Sequence, residues 1–201
     1  MPLTLSYDSH SDMHGQRVIK IAPDGSHENI IRLHDDQPSG LGWLPDGDLL
    51  VVSMQKRQIL RFDGEEIRVH ADLSEVASCH CNDMVVDAFG RSYVGNFGFD
   101  LHNGADAKAG ELIRVDIDGS IHLMDNNLNF PNGTVITPDG NTLIIAETFA
   151  GTLTAYDIDA EGDLNNRREW AQLGGGALPD GMCLDAENGV WVASPTTNEC
   201  V

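Results

Sequence analysis

The sequence predicts an all-β fold, a β-propeller of four-stranded blades, because one pattern of strands and turns recurs along the chain. Each copy runs from a small or polar residue through an apolar stretch to a turn that ends in glycine, and a second apolar stretch follows. The turn glycines are Gly47, Gly90, Gly140 and Gly189, which are 43, 50 and 49 residues apart. A repeat of about 40–50 residues built from short strands is typical of propeller blades.

A second kind of hairpin alternates with these copies. It consists of an alternating strand that ends in an Asp/Gly turn, followed by one further strand. The hairpin strands cover residues 16–25, 58–64, 111–119 and 152–162, and the closing strands cover 28–33, 66–71, 120–124 and 166–171. Each unit is therefore expected to hold four antiparallel strands. The irregular parts are a short helical turn at 75–77 and a surface loop at 97–109.

The phase of the repeat predicts a single incomplete domain over residues 1–201. The hairpin at 16–25 belongs to a blade whose second strand is represented only by residues 11–13, after an atypical N-terminal segment at 1–10. The copy at 180–194 opens a blade whose second hairpin does not follow. We therefore expect an incomplete set of about four blades, with three complete units and two halves, from a chain truncated at both ends.

Charge and composition limit the functions to consider. The formal charge is −20, from 32 acidic and 12 basic residues, which argues against nucleic acid and anionic membranes as partners. No apolar run approaches the roughly 20 residues that cross a bilayer, and residues 1–12 do not resemble a signal peptide, so we expect a cytoplasmic protein. The 4 cysteines are too few for a disulfide scaffold, and Cys79-His80-Cys81 lacks the second half of a zinc site.

The first residue of each copy is the candidate functional position. Innermost strands line the channel of a propeller, so residues at the same phase form a ring, and the series here is Gly40, Asn82, Asn132 and Asp180. Amide and carboxylate oxygens suit Ca²⁺ or Mg²⁺ and tolerate Zn²⁺ or Mn²⁺. The alternative is that these side chains only cap turns. Three oxygen-bearing residues in register favour a metal site.

Three stretches resemble the signature motifs of one family. They are Asn-Asp-Met-Val-Val-Asp at 82–87, Pro-Asn-Gly at 131–133 with Pro-Asp-Gly at 138–140, and Pro-Asp-Gly-Met at 179–182. In this order and spacing they are similar to the gluconolactonase family, which includes regucalcin (senescence marker protein) and bacterial lactonases. The resemblance covers residues 11–201 and implies a six-bladed propeller with one divalent metal ion, which hydrolyses sugar-type or related lactones.

The resemblance also implies roles for individual residues. The family's metal-binding Asn and Asp fall on Asn132 and Asp180, and Asp180 is also the implied catalytic general base. The residue that contacts substrate or the activated water falls on Asn82, and we expect His80 and Asn96 to bind substrate beside it. The ion would polarise the lactone carbonyl and activate water. Ca²⁺ is expected first, with Zn²⁺, Mg²⁺ and Mn²⁺ as alternatives.

Two departures from the family pattern bear on function. The family's remaining metal ligand is a Glu in a Gly-Glu-(Ser/Cys)-Pro motif, and residues 1–10 contain no Glu. We therefore expect this chain to bind metal weakly and to be impaired as an enzyme. His80 stands where many members have Arg, and His is shorter and only partly charged at neutral pH. The identity of the lactone is therefore left open.

Other interpretations receive less support from the sequence. A non-catalytic calcium-binding propeller or scaffold module is the main alternative. Residues 157–163 resemble the start of an EF-hand loop, but their flanks are predicted strands. Glu147 closes a strand and is interpreted as structural. No Gly-x-Ser-x-Gly motif is present, which disfavours a serine hydrolase.

Overall fold

The computed structural model describes residues 8–201, which form five antiparallel sheets in chain order. The first sheet has β1 (Asp8–Asp12), β2 (Arg17–Ile21) and β3 (His27–Arg32). The second has β4 (Pro38–Trp43), β5 (Leu49–Ser53), β6 (Gln58–Phe62) and β7 (Ile67–Asp72). The third has β8 (Cys81–Val86), β9 (Ser92–Asn96), β10 (Gly110–Val115) and β11 (Ile121–Leu128). The fourth has β12 (Pro131–Ile136), β13 (Thr142–Glu147), β14 (Thr152–Ile158) and β15 (Leu164–Gln172), and the fifth has β16 (Met182–Leu184), β17 (Val190–Ser194) and β18 (Glu199–Cys200).

The sheets are propeller blades, which confirms the predicted all-β fold. Within each sheet, strands that are adjacent in sequence are hydrogen-bonded neighbours, and three blades have the predicted four strands. The blade count differs from the expected set of about four because each partial unit forms a three-stranded sheet of its own. Strand β1 begins earlier than expected, since Asp8 already pairs with Ile21.

One other expectation about local structure needs correction. Residues 75–77 belong to a hydrogen-bonded turn, in which the Ala77 amide donates to the Leu73 carbonyl at 2.8 Å, and not to a helix. The two short 3₁₀ helices are instead at Leu101–Asn103 and Thr148–Ala150. None of the helices in the stretch 8–201 is long and apolar enough to cross a membrane.

The hydrophobic core lies between neighbouring blades. Leu50 and Ile59 of the second blade, for example, cluster with Val94 and Ile113 of the third, and all four are fully buried. Similar clusters join the other neighbouring pairs of blades. The four cysteines are free thiols.

Two glycines allow the innermost strands to approach one another at the propeller axis. A Cβ atom on Gly40 would lie 2.4 Å from the Met84 backbone nitrogen, and one on Gly133 would lie 2.3 Å from the Asp180 carbonyl oxygen. The Gly133 amide donates to that carbonyl at 3.1 Å. The starts of these strands are therefore joined backbone to backbone, which brings the candidate ring residues together.

Candidate active site

A cavity of about 680 Å³ lies at the axis where the innermost strands begin. Asn82, Asn132 and Asp180 all line it, so the three residues that share one repeat phase meet in one space. The other lining residues are His10, Ser11, Met13, Pro38, Ser39, Met54, Asp83, Phe97, Phe130, Thr148, Leu178, Gly181, Ala193, Pro195 and Thr196.

The side chain of Asn82 is buried and held in place by two neighbours. Its Nδ2 atom donates to the Pro131 carbonyl at 3.1 Å, and its Oδ1 atom accepts a long hydrogen bond of 3.4 Å from the Ser39 hydroxyl. The donation fixes which end of the amide is which, because only a nitrogen can donate to a carbonyl. The amide therefore links the second, third and fourth blades.

Asn132 is oriented by a hydroxyl of its own blade. Its Nδ2 atom donates to Thr148 Oγ1 at 3.2 Å, and that hydroxyl donates to the Pro179 carbonyl at 2.8 Å. Asn132 Oδ1 accepts no hydrogen bond from the part of the chain between residues 8 and 201. An amide oxygen without a protein donor can accept a hydrogen bond or coordinate a cation.

A second carboxylate, which the sequence analysis did not single out, accompanies Asp180. Asp83 lines the same cavity. Burial raises the pKa of Asp83 to about 6, and the negative charge of Asp180 adds to the rise, while the Met84 amide opposes it. The position of Asp83 directly after Asn82 in the motif at 82–87 is the sequence feature that could have predicted its place near the site. Two acidic groups that share a cavity repel one another unless a proton or a cation lies between them.

The donor set fits a hard divalent cation. Among the residues that the structure describes, no three His, Cys, Asp or Glu side chains converge in a way that could hold a metal ion. The candidate ligands are instead the amide oxygens of Asn82 and Asn132 with the carboxylates of Asp83 and Asp180. Oxygen-only sets of this kind suit Ca²⁺ and Mg²⁺ better than they suit Zn²⁺, which prefers His and Cys.

His80 does not line this cavity. It borders a neighbouring cleft of about 590 Å³, together with Arg57 and Lys108. Its ring centroid is 6.0 Å from that of Phe97, which does line the axial cavity. Burial lowers the pKa of His80, and its Nδ1 atom is buried without a hydrogen-bond partner in the described region. His80 therefore stands one aromatic ring away from the cavity.

Asn96 lies outside both spaces and is fully buried. Its Oδ1 atom accepts from the Gly98 amide at 2.9 Å, and its Nδ2 atom donates to Glu111 Oε2 at 2.7 Å. These contacts anchor the beginning of the loop at 97–109. The expectation that Asn96 contacts substrate stays a prediction.

An aromatic group borders the cavity on one side. Phe97 and Phe130 stack with their ring centroids 4.4 Å apart, and Phe149 and Phe99 pack against Phe130 at 4.7 and 6.0 Å. These four residues are called the phenylalanine cluster below. Phe130 has a φ of 61°, which is uncommon for a bulky residue, and the Thr148 amide holds its carbonyl at 3.1 Å. The sequence pattern did not point to this cluster.

Glu147, at the end of β13, is buried and contacts the chain just before Phe130. Its Oε2 atom accepts from the Asn129 amide at 2.8 Å, and its Oε1 atom accepts from Thr154 and Arg167 at 2.6 and 2.9 Å. The carboxylate thus fixes the chain just before Phe130 and Asn132, which agrees with its interpretation as structural.

Comparison with known proteins identifies related sequences and folds. The family model described as SMP-30/Gluconolactonase/LRE-like region matches residues 7–201. Pentonolactonase XacC of Haloferax volcanii is 31% identical over 150 residues, which cover 74% of this chain and 49% of that protein. Regucalcin of Gallus gallus is 25% identical over 187 residues, which cover 90% of this chain and 62% of that protein. The chain thus spans roughly half to three fifths of the length of these relatives.

The fold comparison points the same way. A structure of a gluconolactonase from Xanthomonas campestris superposes with a TM-score of 0.77 at 24% identity, and it covers 94% of this chain and 66% of the other. At this level of identity the similarity concerns the fold.

Proposed function

The chain belongs to the SMP-30/gluconolactonase/LRE-like family, and from this premise we propose that it hydrolyses lactones with the help of a divalent metal ion. The observation that carries the proposal is the convergence of Asn82, Asn132 and Asp180 on one cavity. The relative named as a pentonolactonase supports ring opening of a lactone as the type of reaction. A small-molecule lactone is accordingly the proposed partner.

Asn132 and Asp180 would hold the ion, since Asn132 Oδ1 has no protein donor and the Asp180 carboxylate has no ion pair within residues 8–201. When bound, a divalent ion supplies polarisation of the ester carbonyl and makes a water molecule more acidic. Ca²⁺ is the first candidate because all donors are oxygens, and Mg²⁺, Mn²⁺ and Zn²⁺ are the alternatives.

The chain's own residues are proposed to transfer the proton, orient the water and bind the substrate. Asp180 is proposed to accept a proton from the attacking water as general base. Asn82 Oδ1 would orient that water, because Asn82 Nδ2 is already committed to the Pro131 carbonyl. His80 and Asn96 are proposed to act at the edge of the substrate site. The His80 ring contacts Phe97, which lines the cavity, at a centroid separation of 6.0 Å.

Substitution of Asp180 tests the proposal. Lactone hydrolysis is followed by acid release with Ca²⁺, Mg²⁺, Mn²⁺ or Zn²⁺ added and after chelation. We expect chelation to abolish turnover and Asp180→Asn to lower kcat by about 10²–10⁴-fold, the usual contribution of a general base. Asp118→Asn is the matched control, because Asp118 lies in an exposed turn where Asn can still accept the hydrogen bond from the Ser120 amide.

A non-catalytic calcium-binding propeller is the second candidate function. The observation in its favour is that His80 and Asn96 lie outside the axial cavity, which leaves few groups to hold a substrate. A folded protein that binds Ca²⁺ but opens no lactone would establish this alternative and refute the enzyme. Cytoplasmic residence and the lack of nucleic-acid or membrane partners stay predictions.

A further inference from the structure

One wall of the axial cavity is apolar. Met54, Phe97 and Phe130 lie next to the strands of three successive blades and line the cavity. Each is more than nine-tenths buried. Phe99 and Phe149 pack against Phe130, and Met13 packs against the same group. The amide and carboxylate groups at the axis line the same cavity, so its lining has a polar part and an apolar part.

The hydroxyl groups of the cavity are already engaged. All four donate to acceptors of the protein: Ser11 to the Ser39 carbonyl at 2.5 Å, Ser39 to Asn82 Oδ1 at 3.4 Å, Thr148 to the Pro179 carbonyl at 2.8 Å and Thr196 to the Gly176 carbonyl at 3.0 Å. A polyhydroxylated substrate would find few free donors here. Its hydroxyls would lose water without full replacement, which weakens binding.

The charges of the cavity act in the same direction. Asp83 and Asp180 line it, and within the described residues its lining includes no Lys or Arg. His10 is the basic side chain of the described lining, and Arg57 and Lys108 line the neighbouring cleft. Apart from His10 and the ion proposed above, a carboxylate, sulfonate or phosphate substituent would meet no cationic group of the described lining and would lie near two carboxylates.

We propose that the preferred substrate is an uncharged lactone whose ring carries an alkyl or aryl substituent. This inference rests on the proposed lactone hydrolysis. The ester group lies against Asn82, Asn132 and Asp180, and the substituent lies against the phenylalanine cluster. Each methylene group that leaves water for an apolar wall strengthens binding about fourfold. Selectivity for the substituent therefore comes from burial.

The reaction conserves all atoms and needs no oxidant or reductant. The water oxygen bonds to the acyl carbon while Asp180 accepts one proton of that water. The bond between the acyl carbon and the ring oxygen then breaks, and the ring oxygen takes a proton and becomes an alcohol. The product is an open-chain hydroxycarboxylate, and one proton is released to solvent.

A matched set of five-membered lactones tests the inference. γ-Butyrolactone has no substituent, γ-nonalactone has a pentyl chain, and D-galactono-1,4-lactone has hydroxyls on the same ring. We expect kcat/KM for γ-nonalactone to exceed that for γ-butyrolactone at least tenfold, since partial burial of five carbons suffices for this. D-Galactono-1,4-lactone should be the poorest of the three. Isothermal titration of the same compounds measures binding independently of turnover.

Substitutions in the cluster connect the preference to the wall. Phe97→Leu keeps an apolar side chain but removes the stacked ring, and Phe149→Ser removes a support whose side chain is 48% exposed, so the fold is retained. Both should reduce the preference for γ-nonalactone over γ-butyrolactone about three- to tenfold. Phe89→Ser is the control, because Phe89 is exposed in the turn at the far end of β8 and lines neither space.

The outcomes separate the inference from the proposed function. If D-galactono-1,4-lactone is the best substrate, the inference fails and the proposed function stands. If no lactone is opened, the proposed function fails, and titration still decides selectivity: tighter binding of γ-nonalactone supports the apolar wall, and equal or no binding overturns it. Equal preferences in Phe97→Leu, Phe149→Ser and the unmodified protein would also overturn it.

Discussion

Asn132 donates a hydrogen bond from Nδ2 to Oγ1 of Thr148 at 3.2 Å. This contact leaves the amide oxygen of Asn132 as the atom available to a ligand. Thr148 also donates to the Pro179 carbonyl at 2.8 Å, next to Asp180. The Thr148 hydroxyl therefore contacts the side chain of Asn132 and the backbone next to Asp180, the two residues that are proposed to hold the metal ion.

The first prediction concerns Thr148 as a positioning residue. Thr148→Val keeps the shape of the side chain but removes both hydrogen bonds, and we expect about a 10-fold loss of Ca²⁺ affinity. Thr148→Ser keeps the hydroxyl and should restore affinity to within about twofold. The Ca²⁺ affinity is measured from the rise in Tm as the Ca²⁺ concentration is increased. Unchanged affinity in Thr148→Val would show that the Asn132 amide does not depend on this hydroxyl.

The second prediction concerns metal binding itself. The two proposed ligands, Asn132 and Asp180, supply few of the six to eight oxygens that Ca²⁺ takes, so we expect a Kd of about 10⁻⁴ M or weaker. At about 10 mM Ca²⁺ the protein should gain up to about 2.7 kcal/mol of unfolding free energy, which corresponds to a rise in Tm of several degrees.

Asp180→Asn should lose most of this stabilisation, whereas Asp118→Asn should keep it. Differential scanning calorimetry with and without chelator measures the effect. A submicromolar Kd, or an equal gain in Asp180→Asn, would contradict the proposed ligand set.

The third prediction concerns the contact between strand starts at the axis. Gly133→Ala puts a Cβ atom 2.3 Å from the Asp180 carbonyl oxygen, so the strands must separate. We expect the unfolding free energy to fall by about 1–3 kcal/mol or more. Gly174→Ala is the control, because a Cβ atom there meets nothing within 4 Å. Urea denaturation of both variants measures the difference, and equal stabilities would argue against close packing at the axis.

The fourth prediction concerns pH. Burial lowers the pKa of His70, the charges of Arg61 and Arg68 act in the same direction, and the hydrogen bond to the Asp116 carbonyl together with the charge of Asp118 opposes the shift. The unfolded chain therefore binds a proton near pH 6.5 more readily than the folded protein does. The stability contributed by His70 is present above this pH and is lost as the pH falls below it.

In His70→Gln, the decline of Tm between pH 7.5 and 5.5 should accordingly be smaller than in the unmodified protein. The exposed His14 provides the control substitution, His14→Gln. A decline that is identical in all three proteins would exclude His70 as a source of the pH dependence.

The strand repeats were predictable because they depend on local chemistry. Alternating apolar residues and Asp/Gly turns specify a hairpin without reference to the rest of the chain. Asn82, Asn132 and Asp180 could be grouped because equal phase in a repeat means an equal position along the axis. Strands β11 and β15 run longer than predicted, since register shifts interrupt the alternation on which the prediction depended.

The side chains around the ring were harder to predict. Asn96 lies on β9, opposite Cys81, and so stands one strand further from the axis than Asn82 does. His80 precedes β8, and its side chain borders the neighbouring cleft instead of the axial cavity. The proximity of Asp83 and Asp180 joins residues 97 positions apart, and such contacts depend on the curvature of the blades.

The backbone hydrogen bond from Gly133 to Asp180 joins two blades whose remaining contacts are mostly apolar. The hydrophobic effect is non-directional, whereas a cation shared by Asn132 and Asp180 would add directed bonds between the two blades. Binding of the ion would therefore hold the fourth and fifth blades together. Hydrogen exchange at β12 and β16 should slow together when the ion binds.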